Sequence, residues 1–184
     1  MTTCGDSARV VASRAAEETR LHPAQLSIDD LLADCEVKRS RRSGPGGQHR
    51  NKVETAVIVT HLPTSLRGEA SERRSQELNR RQAIARLRLK LALEFRHAAL
   101  SQPTERWTAR ISDRRVSVNA GHDDFPALVS EVLDWLAANE FSIVAAASWF
   151  GVTASQLVKF LKVEPKALAY VNRRRGANGE SPLH

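Results

Sequence analysis

The longest uninterrupted pattern in the chain runs over residues 71–100, which contain neither Gly nor Pro. Ile84, Leu87, Leu91, Phe95 and Ala98 recur at helical spacing and share one face. Leu78, Ala85, Leu89 and Leu93 form a second apolar stripe turned well away from the first. The pattern predicts one long helix over 71–100, with Ser71 as its N-cap. One stripe should pack on strands, and the other needs a cover that the C-terminal region would supply. Upstream, residues 55–62 are rich in β-branched side chains and predict a strand that Pro63 ends. Residues 35–39 predict a second strand, and residues 66–70 a short third one that Gly68 weakens. Ser27, followed by Asp29, Asp30, Leu31 and Leu32, predicts a short capped helix over 28–34.

Ser101-Gln102-Pro103 breaks the long helix and marks a domain boundary. Beyond it, residues 107–118 predict a hairpin turning at 112–115, and residues 119–124 a loop. Helices follow at about 125–138, 142–149, 154–161 and 166–174. Between the second and third of these, Gly151 permits a turn and Thr153 can cap. Small residues over 145–148 allow close helix approach. This piece reads either as a helix-turn-helix reader or as a packing module only. The fold class expected is α+β: a small mixed sheet with one long C-terminal helix, then a small, mostly helical module resembling a helix-turn-helix. The expected division is a flexible arm over 1–24 with a short helix at about 8–20, a first domain over 25–100, a second module over 104–176, and a flexible tail over 177–184.

Charge sharpens this picture. The 184 residues carry a net +7, and residues 36–96 hold 15 of the 28 Lys and Arg but only 6 of the 21 acids. That segment is therefore about +9 and the remainder about −2, an imbalance that favours a nucleic-acid surface over a generally basic protein. Arg73, Arg74, Arg80, Arg81, Arg86, Arg88 and Lys90 stud the same long helix. Such a run is either a solvated face or a set of phosphate contacts. Cys4 and Cys35 have no ligand-like spacing and point to a reducing compartment without a disulfide framework. The six histidines are scattered, so no metal and no cofactor are expected. The N-terminus is too polar for a signal peptide, and no apolar run approaches the length of a membrane span. A cytoplasmic protein is expected.

Between the first two strands lies Ser43-Gly44-Pro45-Gly46-Gly47-Gln48, preceded by Arg41 and Arg42 and followed by His49, Arg50, Asn51 and Lys52. Two adjacent glycines can simply turn a chain. A loop built only to turn does not need so many basic neighbours. The segment closely resembles the catalytic domain of class I peptide chain release factors and their ribosome-rescue relatives. The likeness runs over residues 42–49 and 51–53, continues through Thr55-Ala56-Val57 and residues 60–64, and ends at Glu72-Arg73-Arg74-Ser75-Gln76 with Asn79-Arg80.

The resemblance implies a Gly-Gly-Gln loop that enters the peptidyl transferase centre of the large ribosomal subunit and promotes attack of water on the ester of peptidyl-tRNA. Gly46, Gly47 and Gln48 would be catalytic. The Gln48 backbone N–H would face the developing oxyanion, and its side chain would place water. The glycines admit angles and approaches that a Cβ would block. Arg41, Arg42, Ser43, His49, Arg50, Asn51, Lys52, Arg73, Arg74, Arg80 and Arg81 would contact RNA, and His49 is read as such a contact rather than as a general base. Arg50 stands where many relatives carry a smaller or apolar residue. The implied partners are the ribosome, through its large-subunit RNA and peptidyl transferase centre, peptidyl-tRNA, and a glutamine methyltransferase acting on Gln48.

Two departures shape the expectation. About 25 residues precede the matching region, too few for a codon-reading domain, so codon-independent release is expected, as in rescue factors. Residues 97–184 are near neutral and contain all three Trp, unlike a basic tail. The catalytic part would then cut and the C-terminal module choose where, on stalled ribosomes or on separated large subunits. The alternative is a non-catalytic RNA- or DNA-binding protein that reads with residues 142–161, whose only basic residue is Lys159.

Overall fold

The computed structural model describes residues 21–40 and 55–184. A 3-10 turn at Pro23–Gln25 opens the described chain, followed by α1 (Ile28–Ala33), β1 (Cys35–Ser40), β2 (Ala56–His61), β3 (Arg67–Ala70) and α2 (Gln76–Glu94). The Ser27 hydroxyl caps α1 by accepting from the Asp30 N–H at 3.1 Å. The three strands form one sheet in the order β1-β2-β3. Both pairings are antiparallel where a mixed sheet was expected. Residues 62–66 form a tight connection between β2 and β3, closed by the His61 N–H on the Leu66 carbonyl at 2.8 Å, and so short a link can only reverse the chain.

Gly68, read from sequence as a weak point in β3, proves to be a requirement of it. A Cβ there would stand 2.1 Å from the Ala83 carbonyl oxygen and 2.5 Å from the Leu87 nitrogen. Only glycine lets α2 lie this close to the sheet.

The long helix is shorter than its pattern suggested. It spans Gln76–Glu94, not 71–100, and its cap is Ser75, whose hydroxyl accepts from the Leu78 N–H, not Ser71. Residues 71–74 stay outside because the Asn79 side chain bonds the backbone of Arg73. At the other end Phe95 turns extended (φ −103°, ψ 140°). Its ring then packs at 5.5 Å from that of His22, and the His97 N–H donates to Asp134 at 3.1 Å. Of the two predicted stripes, Ile84, Leu87 and Leu91 are buried, while Phe95 lies past the helix and Ala98 is exposed. Leu89 and Leu93 are half-buried, Ala85 is exposed, and Leu78 is 50% exposed.

The cover comes from the C-terminal region, where α4 (Phe125–Ala138) packs along α2. Before it lie a single helical turn, α3 (Glu105–Thr108), and a two-residue hairpin, β4 (Ile111–Ser112) with β5 (Arg115–Val116). The expected hairpin began at Trp107. That residue sits instead in α3, because the Thr104 hydroxyl accepts its N–H while Glu131 grips Thr104 at 2.7 and 2.8 Å. The turn at Asp113 and Arg114 takes φ of +49° and +60°, the left-handed pair that tight hairpins need. Then α5 (Ile143–Trp149), α6 (Ala154–Val163) and α7 (Pro165–Ala177) complete the chain. Thr153 caps α6 by accepting from the Gln156 N–H, and Gly151 turns the chain at φ +68°. The axes of α5 and α6 meet at 97°. One buried apolar cluster runs from Ala24 through α2 and α4 to Val171. Among the described residues no single helix is long and apolar enough to cross a membrane.

Candidate functional site

The sheet register fixes where the Gly-Gly-Gln segment attaches. Ser40, the last residue of β1, pairs with Ala56, the first of β2. The segment between them thus leaves and rejoins the molecule at two adjacent positions of one antiparallel ladder. Arg41, Arg42, Ser43, Gly46, Gly47, Gln48, His49, Arg50, Asn51 and Lys52 all lie outside the described residues.

The described surroundings of that attachment are built around Asn79. It is fully buried in the first turn of α2. Its Nδ2 donates to the Thr55 carbonyl at 2.7 Å and to the Arg73 carbonyl at 2.8 Å, and its Oδ1 accepts from the Arg73 N–H at 2.9 Å. A primary amide is the side chain that combines two donors and an acceptor in so small a volume. Asn79 therefore ties three things together: the helix start, the turn carrying Arg73 and Arg74, and the residue just before β2. Sequence reasoning counted Asn79 only as part of a likeness. The signal that could have assigned it was a polar residue at a helical position facing the apolar core.

Arg73, Arg74, Arg80 and Arg81 thus stand at the end of the molecule where the Gly-Gly-Gln segment joins. Arg73 and Arg74 are exposed, and Arg80 is half-buried. Arg81 pairs with Glu77 at 3.0 Å, both well exposed, so the pair is weak and exchangeable. The sequence reading did not place Arg86 and Arg88 in the site. Arg86 holds the Glu69 carbonyl and the Glu72 carboxylate at 2.7 and 2.8 Å, and this contact pulls Glu72 down to about 2. Arg88 is 7% exposed and donates to the carbonyls of Ala24 and Asp123, both at 2.9 Å. Its charge rests on backbone dipoles, and burial lowers its pKa.

Other reactive groups in the described part do not resemble a hydrolytic centre. Burial, and then the Asp34 charge, push the Cys35 thiol up to about 11, far from a thiolate nucleophile at neutral pH. The His61 ring is lowered by burial and bonds Thr64 at 2.8 Å. In the C-terminal module, Trp107, Phe150 and Phe160 form a packed aromatic core, and the Trp107 indole donates to the Phe150 carbonyl. The hairpin tip touches the start of α6, where the Thr153 N–H donates to the Arg114 carbonyl at 3.3 Å. This brings the exposed Arg114 and Arg115 beside a helix whose own exposed cations are Lys159 and Lys162.

The family model that matches is the RF-1 domain, over residues 24–124. Similar proteins include peptide chain release factor 1 of Leptothrix cholodnii, 47% identical over 76 residues, covering 41% of this chain and 19% of that protein. Peptide chain release factor 1 of Xylella fastidiosa is 39% identical over 98 residues, covering 53% and 25%. That of Acidiphilium cryptum is 42% identical over 96 residues, covering 52% and 25%. The match thus spans a quarter or less of these relatives' own length.

Proposed function

The chain belongs to the RF-1 domain family, and from that membership we propose that it hydrolyses the ester of peptidyl-tRNA in the peptidyl transferase centre of the ribosome. The observation that carries the proposal is the placement of Gly46-Gly47-Gln48 between two ladder-paired strand ends, inside the stretch matched by the family. In this reading the Gln48 backbone N–H stabilises the oxyanion and its side chain orders the attacking water. The surrounding ribosomal and tRNA groups complete the site, so no acid–base pair is asked of the protein. Arg41, Arg42, Ser43, His49, Arg50, Asn51 and Lys52 contact RNA, joined by Arg73, Arg74, Arg80 and Arg81. Gln48 is also the expected acceptor for a glutamine methyltransferase.

The finer reading is codon-independent release from stalled ribosomes or separated large subunits. In this reading the helical module over 125–184, which lies beyond the family match and shares a core with α2, chooses where the catalytic part acts. Peptide release from ribosomes stalled on an mRNA truncated within its coding sequence tests it. Wild type should release peptide and Gly47→Ala should not. Gln48→Ala is less diagnostic because its N–H survives. Release only at stop codons would overturn codon independence, and release only from isolated large subunits would identify the substrate as that subunit. The second reading, a non-catalytic RNA- or DNA-binding protein, is favoured by the 97° meeting of α5 and α6 and by Arg114 and Arg115 beside α6. Tight duplex binding without any release would support it.

A further inference from the structure

An open groove of about 580 Å³ runs between α2 and residues 120–126. Four arginines line it (Arg80, Arg81, Arg86 and Arg88) with two acids, Glu77 and Asp123, and Arg86 is already paired with Glu72 beside the groove. Arg80 is half-buried and forms no ion pair with a described carboxylate, so its charge is open to an anion from outside. Arg88 is more deeply buried, with no hydrogen-bond partner on its Nε, and adds a positive field at the groove's base. Glu77 already engages Arg81, and the Asp123 carbonyl engages Arg88. Between the charges the lining is apolar: Ile28 is 44% exposed, Ala85 is exposed and Leu89 is half-exposed. A guanidinium rim beside exposed aliphatic side chains suits a strand that offers phosphates and unpaired base faces together, whereas a duplex keeps its base faces stacked inside. The groove also lies along the helix whose first turn Asn79 ties to Thr55, the residue just before β2.

We propose that this groove binds an unpaired segment of ribosomal RNA, with phosphates on Arg80 and Arg81 and a base or ribose against Ile28, Ala85 and Leu89. The proposal deepens the ribosomal reading and rests on it for the identity of the RNA, though not for RNA binding itself. Binding of the full chain to purified large subunits, and separately to a short single-stranded oligoribonucleotide, is measured across a salt series. Arg80→Ala should weaken both by about tenfold and reduce the slope of log affinity against log salt by roughly 0.7, the share of a single phosphate. Ile28→Ser, at an exposed position, should weaken both several-fold while leaving the slope unchanged, because it removes apolar area and no charge. Wild-type affinity and slope in both variants would overturn the proposal. So would a polyaspartate peptide that competes better than the oligoribonucleotide, which would make the groove a site for acidic protein segments. Loss of oligoribonucleotide binding in Arg80→Ala, with no peptide release by wild type, would keep the groove and discard the hydrolase.

Discussion

At the scale of single residues, Asn79 shows how much architecture one amide can hold. Its three hydrogen bonds satisfy the carbonyls of Thr55 and Arg73 and the N–H of Arg73 in a site closed to water. Replacement by leucine keeps the volume and leaves all three groups unpaired, which should destabilise the protein by roughly 3 kcal/mol. Urea denaturation reads that loss. Peptide release measured well below the unfolding midpoint should fall further than stability alone explains, since the return of the chain from the Gly-Gly-Gln segment is no longer fixed. Gly68 carries the opposite lesson about legibility. From sequence a glycine in a four-residue strand argues against the strand. What it reports here is the distance to Ala83 and Leu87 on α2, a tertiary quantity that no local pattern contains.

At the scale of elements, hydrophobic periodicity located nearly every helix and strand, and its failures share one cause. Residues 71–100 read as a single helix because nothing in them forbids one. The chain ends the helix at both sides through side chains distant in sequence or in role: Asn79 on the Arg73 backbone at the start, and Asp134 on the His97 N–H at the finish. Trp107 was misplaced for the same reason, since Glu131 fixes the cap of its helical turn from 27 residues away. Where the signal is local the reading succeeded. Gly151 and Thr153 turn and cap the α5–α6 pair as their types suggest. Gly151 has open space where a Cβ would go, so Gly151→Ala isolates backbone strain at φ +68°. It should lower stability by about 1–2 kcal/mol without altering packing, which thermal unfolding followed by far-UV circular dichroism would record.

At the scale of the whole molecule, the part bearing the Gly-Gly-Gln motif and the helical module meet in a seam of buried polar groups. His22 accepts the Ala24 N–H on Nδ1 and faces the Phe95 carbonyl with Nε2, an arrangement that requires the neutral ring. Burial drives its pKa down to about 3. An unfolded histidine titrates near 6.5, so the unfolded chain takes up the proton first, and this stabilisation is lost as pH falls from about 6.5 towards 3. Asp134 acts in the other direction. Burial raises it to about 7 despite Arg96, so its contribution is lost as pH rises from about 4 to 7. His22→Asn retains an acceptor for Ala24 and removes the titration. Its melting temperature should therefore fall less than that of wild type between pH 6.5 and 4. The charge imbalance over 36–96 is legible in the sequence, whereas this seam is not, because His22 meets Phe95, and Asp134 meets Arg96 and His97, across more than thirty residues. The pairing of Ser40 with Ala56 has a final consequence, one of length. Because the ladder already holds the two ends together, adding residues to the connection costs the fold little, about 0.6 kcal/mol for each doubling. The sheet therefore exerts almost no selection on how long that connection is. On the proposed function its length is set by the depth it must reach, and a variant lengthened by a few glycines should unfold like wild type while releasing no peptide.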